Sequence, residues 1–118
     1  YFRPMETRVR GQWAFDELKV KRAHSLSKGK GIKLAIVDTG IDSSINEIRM
    51  RILKYMDFID ASTLSADKKK FPFDWEGHGT SIASVIVQVA PEAELLIVKI
   101  SDNETMKTVP PSRWARSI

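Results

Sequence analysis

The run Ile32-Lys33-Leu34-Ala35-Ile36-Val37-Asp38-Thr39-Gly40 decides the architecture. A near-continuous apolar stretch with β-branched residues predicts a strand covered on both faces, as in a parallel sheet. It ends at Asp38, and Gly40 lets the chain leave the strand sharply. Upstream, Lys28-Gly29-Lys30-Gly31 reads as the stop and turn of a preceding helix over Trp13 to Ser27, with Trp13, Leu18, Ala14 and the stem of Arg22 on one side. Residues Tyr1 to Gln12 show no period and read as an N-terminal arm. Downstream, Ile52 to Ile59 predicts a weaker strand and Asp60 to Asp74 a charged loop. Gly77-His78-Gly79-Thr80 opens a helix running to about Val87, with Thr80 or the residues before it able to cap the free N–H groups. Pro91 breaks the chain, Leu95 to Val98 predicts another buried strand, and Val109-Pro110-Pro111-Ser112 leads into a helix from Arg113 to Ile118. Strand, loop, helix and strand in alternation give an α/β fold with a parallel sheet, and so few strands predict an open apolar edge.

Composition narrows the function classes. The 118 residues carry 42% apolar and 29% charged side chains, ordinary for a soluble globular protein. No apolar run has the length of a membrane span, and no basic-then-apolar leader is visible. The net charge of +4 and pI near 9.5 come from basic residues scattered among 15 acidic ones, so no nucleic-acid surface is expected. The densest basic runs, Lys19 to Arg22 and Lys68-Lys69-Lys70, are short. The absence of cysteine removes disulfides, thiol catalysis and cysteine-bound zinc.

Two segments carry chemistry. In Asp38-Thr39-Gly40-Ile41-Asp42 the first carboxylate stands at the carboxyl end of a strand, where open α/β sheets place ligands and catalytic groups. Alone, it could equally cap a turn or bind a cation. In Gly77-His78-Gly79-Thr80-Ser81 a histidine at a helix start is flanked by glycines that admit close approach. Alone, it could be a plain helix-entry histidine.

Together, in this order and forty positions apart, the two segments resemble those of the subtilisin-like serine proteases. Lys28 to Ala35, Tyr55 to Asp60, Val89 to Leu95 and Val98-Lys99 are similar to the surrounding stretches of that family, so that the resemblance runs from about Trp13 to Ile118. It implies the N-terminal portion of a three-layer subtilisin-like peptidase domain, incomplete at its C-terminus. It implies Asp38 as the triad aspartate and His78 as general base and acid, with no cofactor. It also implies a peptide or protein substrate, and most members of the family are secreted.

Departures from the family pattern matter. Ile45-Asn46-Glu47-Ile48 stands where His-Pro-Asp-Leu is usual, and Val87 to Pro91 leaves no room for the usual calcium loop, so no metal site is expected. Ser81 replaces a second histidine, and Trp75-Glu76 replaces a polar pair. The serine segment, Gly-Thr-Ser-x-Ala-Ser/Thr-Pro in the family, does not occur. Gly79-Thr80-Ser81-Ile82-Ala83-Ser84 imitates part of it, but Val85 stands where Pro belongs and Ser81 lies one helical turn from His78. The 118 residues alone are therefore expected to be inactive. Two other readings remain: an aspartic protease, whose strand also ends in Asp-Thr-Gly, and a non-catalytic remnant or split-protein half that pairs with a chain carrying the serine.

Overall fold

The apolar run after Gly31 forms the first strand of a three-stranded parallel sheet. The computed structural model describes residues 13–59, 73–102 and 107–115. The N-terminal arm expected over Tyr1 to Gln12 and most of the charged loop from Asp60 lie outside the described residues, as does the end of the helix expected to reach Ile118.

The strands are β1 (Lys33–Asp38), β2 (Ile52–Asp57) and β3 (Glu94–Lys99), in the order β1-β3-β2. β3 is central because its side chains are the most uniformly apolar: Leu95, Ile97 and Val98 are each 1% exposed or less. In register, Asp38 stands beside Lys99 on one side and Asp57 beside Lys99 on the other. Among the described residues β1 and β2 are both edge strands: β1, expected to be covered on both faces, leaves Lys33 and Ala35 exposed, and β2 leaves Leu53 and Lys54 exposed. A short antiparallel pair, β4 (Ser101–Asp102) and β5 (Lys107–Thr108), follows. Neither two-residue strand has a readable period.

The helices are α1 over residues 13–17, α2 (Val20–His24), α3 (Asn46–Arg49), α4 (His78–Val89) and α5 (Pro111–Trp114). The single helix expected over Trp13 to Ser27 is broken at Lys19, whose backbone is left-handed with φ 55°. The expected apolar side does not find a core: Trp13 and Leu18 are 73% and 72% exposed. α5 begins earlier than Arg113, because Pro111 is already shaped for a helix's first turn. No helix among the described residues is long and apolar enough to cross a membrane.

α3 and α4 cover the sheet. Ile48 of α3 and Ala83 of α4 join Ile36, Ile41, Leu95 and Ile97 in one buried cluster, with Leu34, Ile52, Tyr55, Ile86 and Val87 packed against it. Each large aliphatic side chain so buried contributes roughly 1.5–3 kcal/mol. This cluster fixes the start of α4 against the carboxyl end of β1. A parallel sheet under helices is incompatible with the all-β aspartic protease alternative. β1 and β2 each keep one side without a strand partner among the described residues. The α4 side chains Ile82, Val85 and Val89, spaced along one helical stripe, are 41%, 49% and 43% exposed.

Candidate active site

Asp38 is the last residue of β1 and His78 the first of α4, so the packing of α4 on β1 brings them together. His78 Nδ1 lies 2.8 Å from Asp38 Oδ1 and 3.0 Å from Oδ2. An ionised carboxylate only accepts, so Nδ1 carries the shared proton and Nε2 is the basic nitrogen. The Thr39 N–H donates to Asp38 Oδ1 at 2.8 Å and holds the carboxylate in place. The His78 side chain is 61% exposed, against 20% for Asp38. The hydrogen bond with Asp38, and next the Asp38 charge, hold the imidazole above its ordinary pKa of 6.5; desolvation opposes them, and the charges of Glu76 and Asp74 add to the upward shift.

The two glycines act differently. Gly40 has φ 116°, a backbone that side chains rarely adopt, and turns the chain from Asp38 toward the fully buried Ile41. Gly79 packs its Cα against the turn itself. A Cβ there would overlap the Gly40 carbonyl oxygen and lie 3.3 Å from Asp38 Cβ.

Thr80 does not cap α4, nor does the left-handed Gly77 at its start. The cap is Asp74, which the sequence left inside a charged loop. Its Oδ1 accepts from the Gly77 N–H at 2.8 Å and the Thr39 hydroxyl at 2.7 Å. Its Oδ2 accepts from the Thr80 N–H at 2.8 Å and the Thr80 hydroxyl at 2.6 Å. The two hydroxyls in turn accept the Gly79 N–H at 3.0 Å and the Asp42 N–H at 3.0 Å. Asp74 thereby ties the start of α4 to the turn after β1. It is 6% exposed. Burial alone would raise its pKa, but the hydrogen bonds from Thr80, Thr39 and Gly77 outweigh that and hold the carboxyl below its ordinary 3.8.

Asp74→Ala is expected to cost about 3 kcal/mol, because buried donors lose their acceptor. Urea denaturation at neutral pH checks this. A carboxyl with a lowered folded pKa stabilises the fold above its unfolded value and loses that contribution as pH falls through the folded one. The gap between wild type and variant should therefore narrow as pH falls below 3.8.

A second buried charge supports the same corner. Lys99 Nζ, at the end of β3, donates to the Phe73 carbonyl at 2.6 Å and lies 3.2 Å from Asp102 Oδ2; the two side chains are 4% and 7% exposed. It ties the segment entering the site to the central strand. Ser81 is a helix residue whose hydroxyl donates to the Gly77 carbonyl at 2.8 Å.

The fold and this corner define a class of protein that the comparisons make specific: the chain belongs to the subtilase family, peptidase S8, whose model matches residues 29–110. It is 38% identical over 86 residues to the major intracellular serine protease of Bacillus subtilis, covering 65% of this chain and 26% of that protein. It is 36% identical over 87 residues to an intracellular serine protease of Paenibacillus polymyxa, covering 66% and 26%. It is 30% identical over 113 residues to the subtilisin-like protease PopC of Myxococcus xanthus, covering 90% and 24%. The chain thus spans about a quarter of the length of these relatives.

Proposed function

We propose that Asp38 and His78 are the acid–base pair of a serine endopeptidase and that the nucleophilic serine belongs to polypeptide other than these 118 residues. The observation that carries this reading is the Nδ1 contact of His78 with both Asp38 oxygens, at 2.8 and 3.0 Å. His78 Nε2 takes the proton of the serine hydroxyl as its oxygen adds to the substrate carbonyl. The same proton passes to the leaving amine as the peptide bond breaks, and a water repeats the sequence to release the acid. Asp38 fixes the tautomer and stabilises the imidazolium without being protonated itself. Further polypeptide, of the same chain or a complementing one, would also cover the Ile82, Val85 and Val89 stripe and the free side of β1.

The test is peptide hydrolysis across pH by the full-length polypeptide carrying these residues. A general base works unprotonated, and Asp38 favours the protonated form. The rate kcat/KM should therefore rise with pH through a pKa above 6.5, and Asp38→Asn should move that limb down. A flat profile across this range would discard the assignment. The 118 residues alone should show no turnover. Turnover by them that His78→Ala abolishes would refute the need for an outside serine.

A further inference from the structure

Lys99 closes the central strand with its charge inside the protein, 3% exposed. It is the fixed point that the two halves of the His78–Asp38 pair share. On the first half, Asp38 stands opposite Lys99 in register, and the Ile100 N–H, in the peptide that follows Lys99, donates to the Asp38 carbonyl at 2.9 Å. The oxygen of that same peptide, the Lys99 carbonyl, accepts from the Phe58 N–H at 3.0 Å, so the peptide is braced from both sides. On the other half, Lys99 Nζ donates to the Phe73 carbonyl at 2.6 Å. That carbonyl is joined by its peptide bond to Asp74, the cap that holds the start of α4 and with it His78. A bridge between Phe73 and Ile41 sets the same segment against the turn after β1.

Stability does not explain the charge. A buried ammonium paired with a buried carboxylate, here Asp102 at 3.2 Å, is often no more stabilising than apolar side chains of similar volume. What an apolar side chain cannot do is hold a carbonyl oxygen at a set distance from the end of β3. We propose that Lys99 is a positioning residue for the acid–base pair: its ammonium sets the Phe73 carbonyl, and through Asp74 the start of α4, where His78 meets Asp38. The role in turnover rests on the peptidase reading; the effect on the contact between His78 and Asp38 does not.

The test compares the full-length polypeptide with its Lys99→Met/Asp102→Asn variant, which removes both charges of the pair together. Gly31→Ala, destabilised by its backbone before the opposite end of β1, is the reference for a plain loss of stability. In the double variant kcat should fall on the order of 10- to 100-fold, the scale of a displacement of up to about 1 Å at a reacting group, with KM within about twofold. Its kcat/KM limb should also move down toward 6.5, because the bond to Asp38 is the largest cause of the raised His78 pKa. Gly31→Ala should move neither. A limb that stays in place, a loss confined to KM, or the same changes in Gly31→Ala overturns the proposal. So does a double variant that does not fold, since the pair then holds the fold rather than the site. If the wild type hydrolyses no peptide, the peptidase reading falls, and the His78 ring resonances, titrated by NMR, decide. A midpoint lowered in the double variant alone upholds Lys99 as the positioning residue, and any other result overturns it.

Discussion

His78→Ala in the full-length polypeptide should lower kcat by on the order of 10⁴- to 10⁶-fold, with KM for a peptide substrate little changed. The size follows from triad deletions in subtilisin itself, a member of the same family, where loss of the base costs about as much as loss of the whole triad. The variant should also fold. His78 is 61% exposed and its ring contacts Asp38 at a surface-accessible corner, so the thermal unfolding midpoint should stay close to that of the wild type. Adding Asp38→Ala to it should cost little more, because groups that act as one unit lose their effect once. Activity within tenfold of wild type would remove His78 from the mechanism, whatever its contact with Asp38.

Gly79→Ala should destabilise the fold about as much as Asp74→Ala, and should lower turnover as well. The added methyl group would overlap the Gly40 carbonyl oxygen and sit 3.3 Å from both Asp38 Cβ and the Gly40 nitrogen. These neighbours are backbone or the first atom of a side chain, so no rotamer change relieves the clash. The start of α4 must move away from the end of β1. That costs about 3 kcal/mol, the upper part of the usual range for an overpacked site. Movement of α4 also carries His78 from Asp38, and a displacement of about 1 Å at a reacting group can cost on the order of 10²-fold in rate. Gly31→Ala is the contrast. Its φ of 82° makes the change unfavourable, but nothing lies within 4 Å of the added atom. Its cost should be about 1–2 kcal/mol, with no effect on turnover. Gly79 is not among the glycines of positive φ, so a loss at Gly79 no larger than that at Gly31 would mean that the turn after β1 yields to the added methyl group without moving α4.

The elements that the sequence disclosed are those whose signal is local. Ile32 to Val37 and Leu95 to Val98 announce strands by composition, and both formed with their ends displaced by a residue; β3 is buried as expected, whereas in β1 only Ile36 is. Asp38 and His78 stood out because each sits inside a glycine-marked motif, and the fold brings the two side chains within 2.8 Å of each other. Asp74 was missed for the opposite reason. It follows a long polar stretch, and its burial depends on Thr39 and Thr80, which reach it only once α4 has packed on β1. A carboxylate in a charged loop looks solvated until its donors are known. Lys99 was placed only as part of a similar stretch, and nothing near it in the chain predicts its bond to the Phe73 carbonyl. The break at Lys19 was hidden as well, since lysine favours a helix and nothing beside it in the chain marks a left-handed residue.

The strand order β1-β3-β2 sets a timetable for biosynthesis. The strand that joins the sheet is made last of the three: Lys33 waits for Glu94, and Ile52 waits for Leu95. With a ribosome adding roughly 5–20 residues each second, β1 and β2 spend seconds in the cell with no strand to join. Asp38 and His78 have no reason to meet until β3 has emerged and drawn both sides together. A nascent chain halted before Glu94 should therefore be protease-sensitive and recruit chaperones. One released past Lys99 has, for the first time, all three of these strands, which bring Asp38 and the start of α4 together.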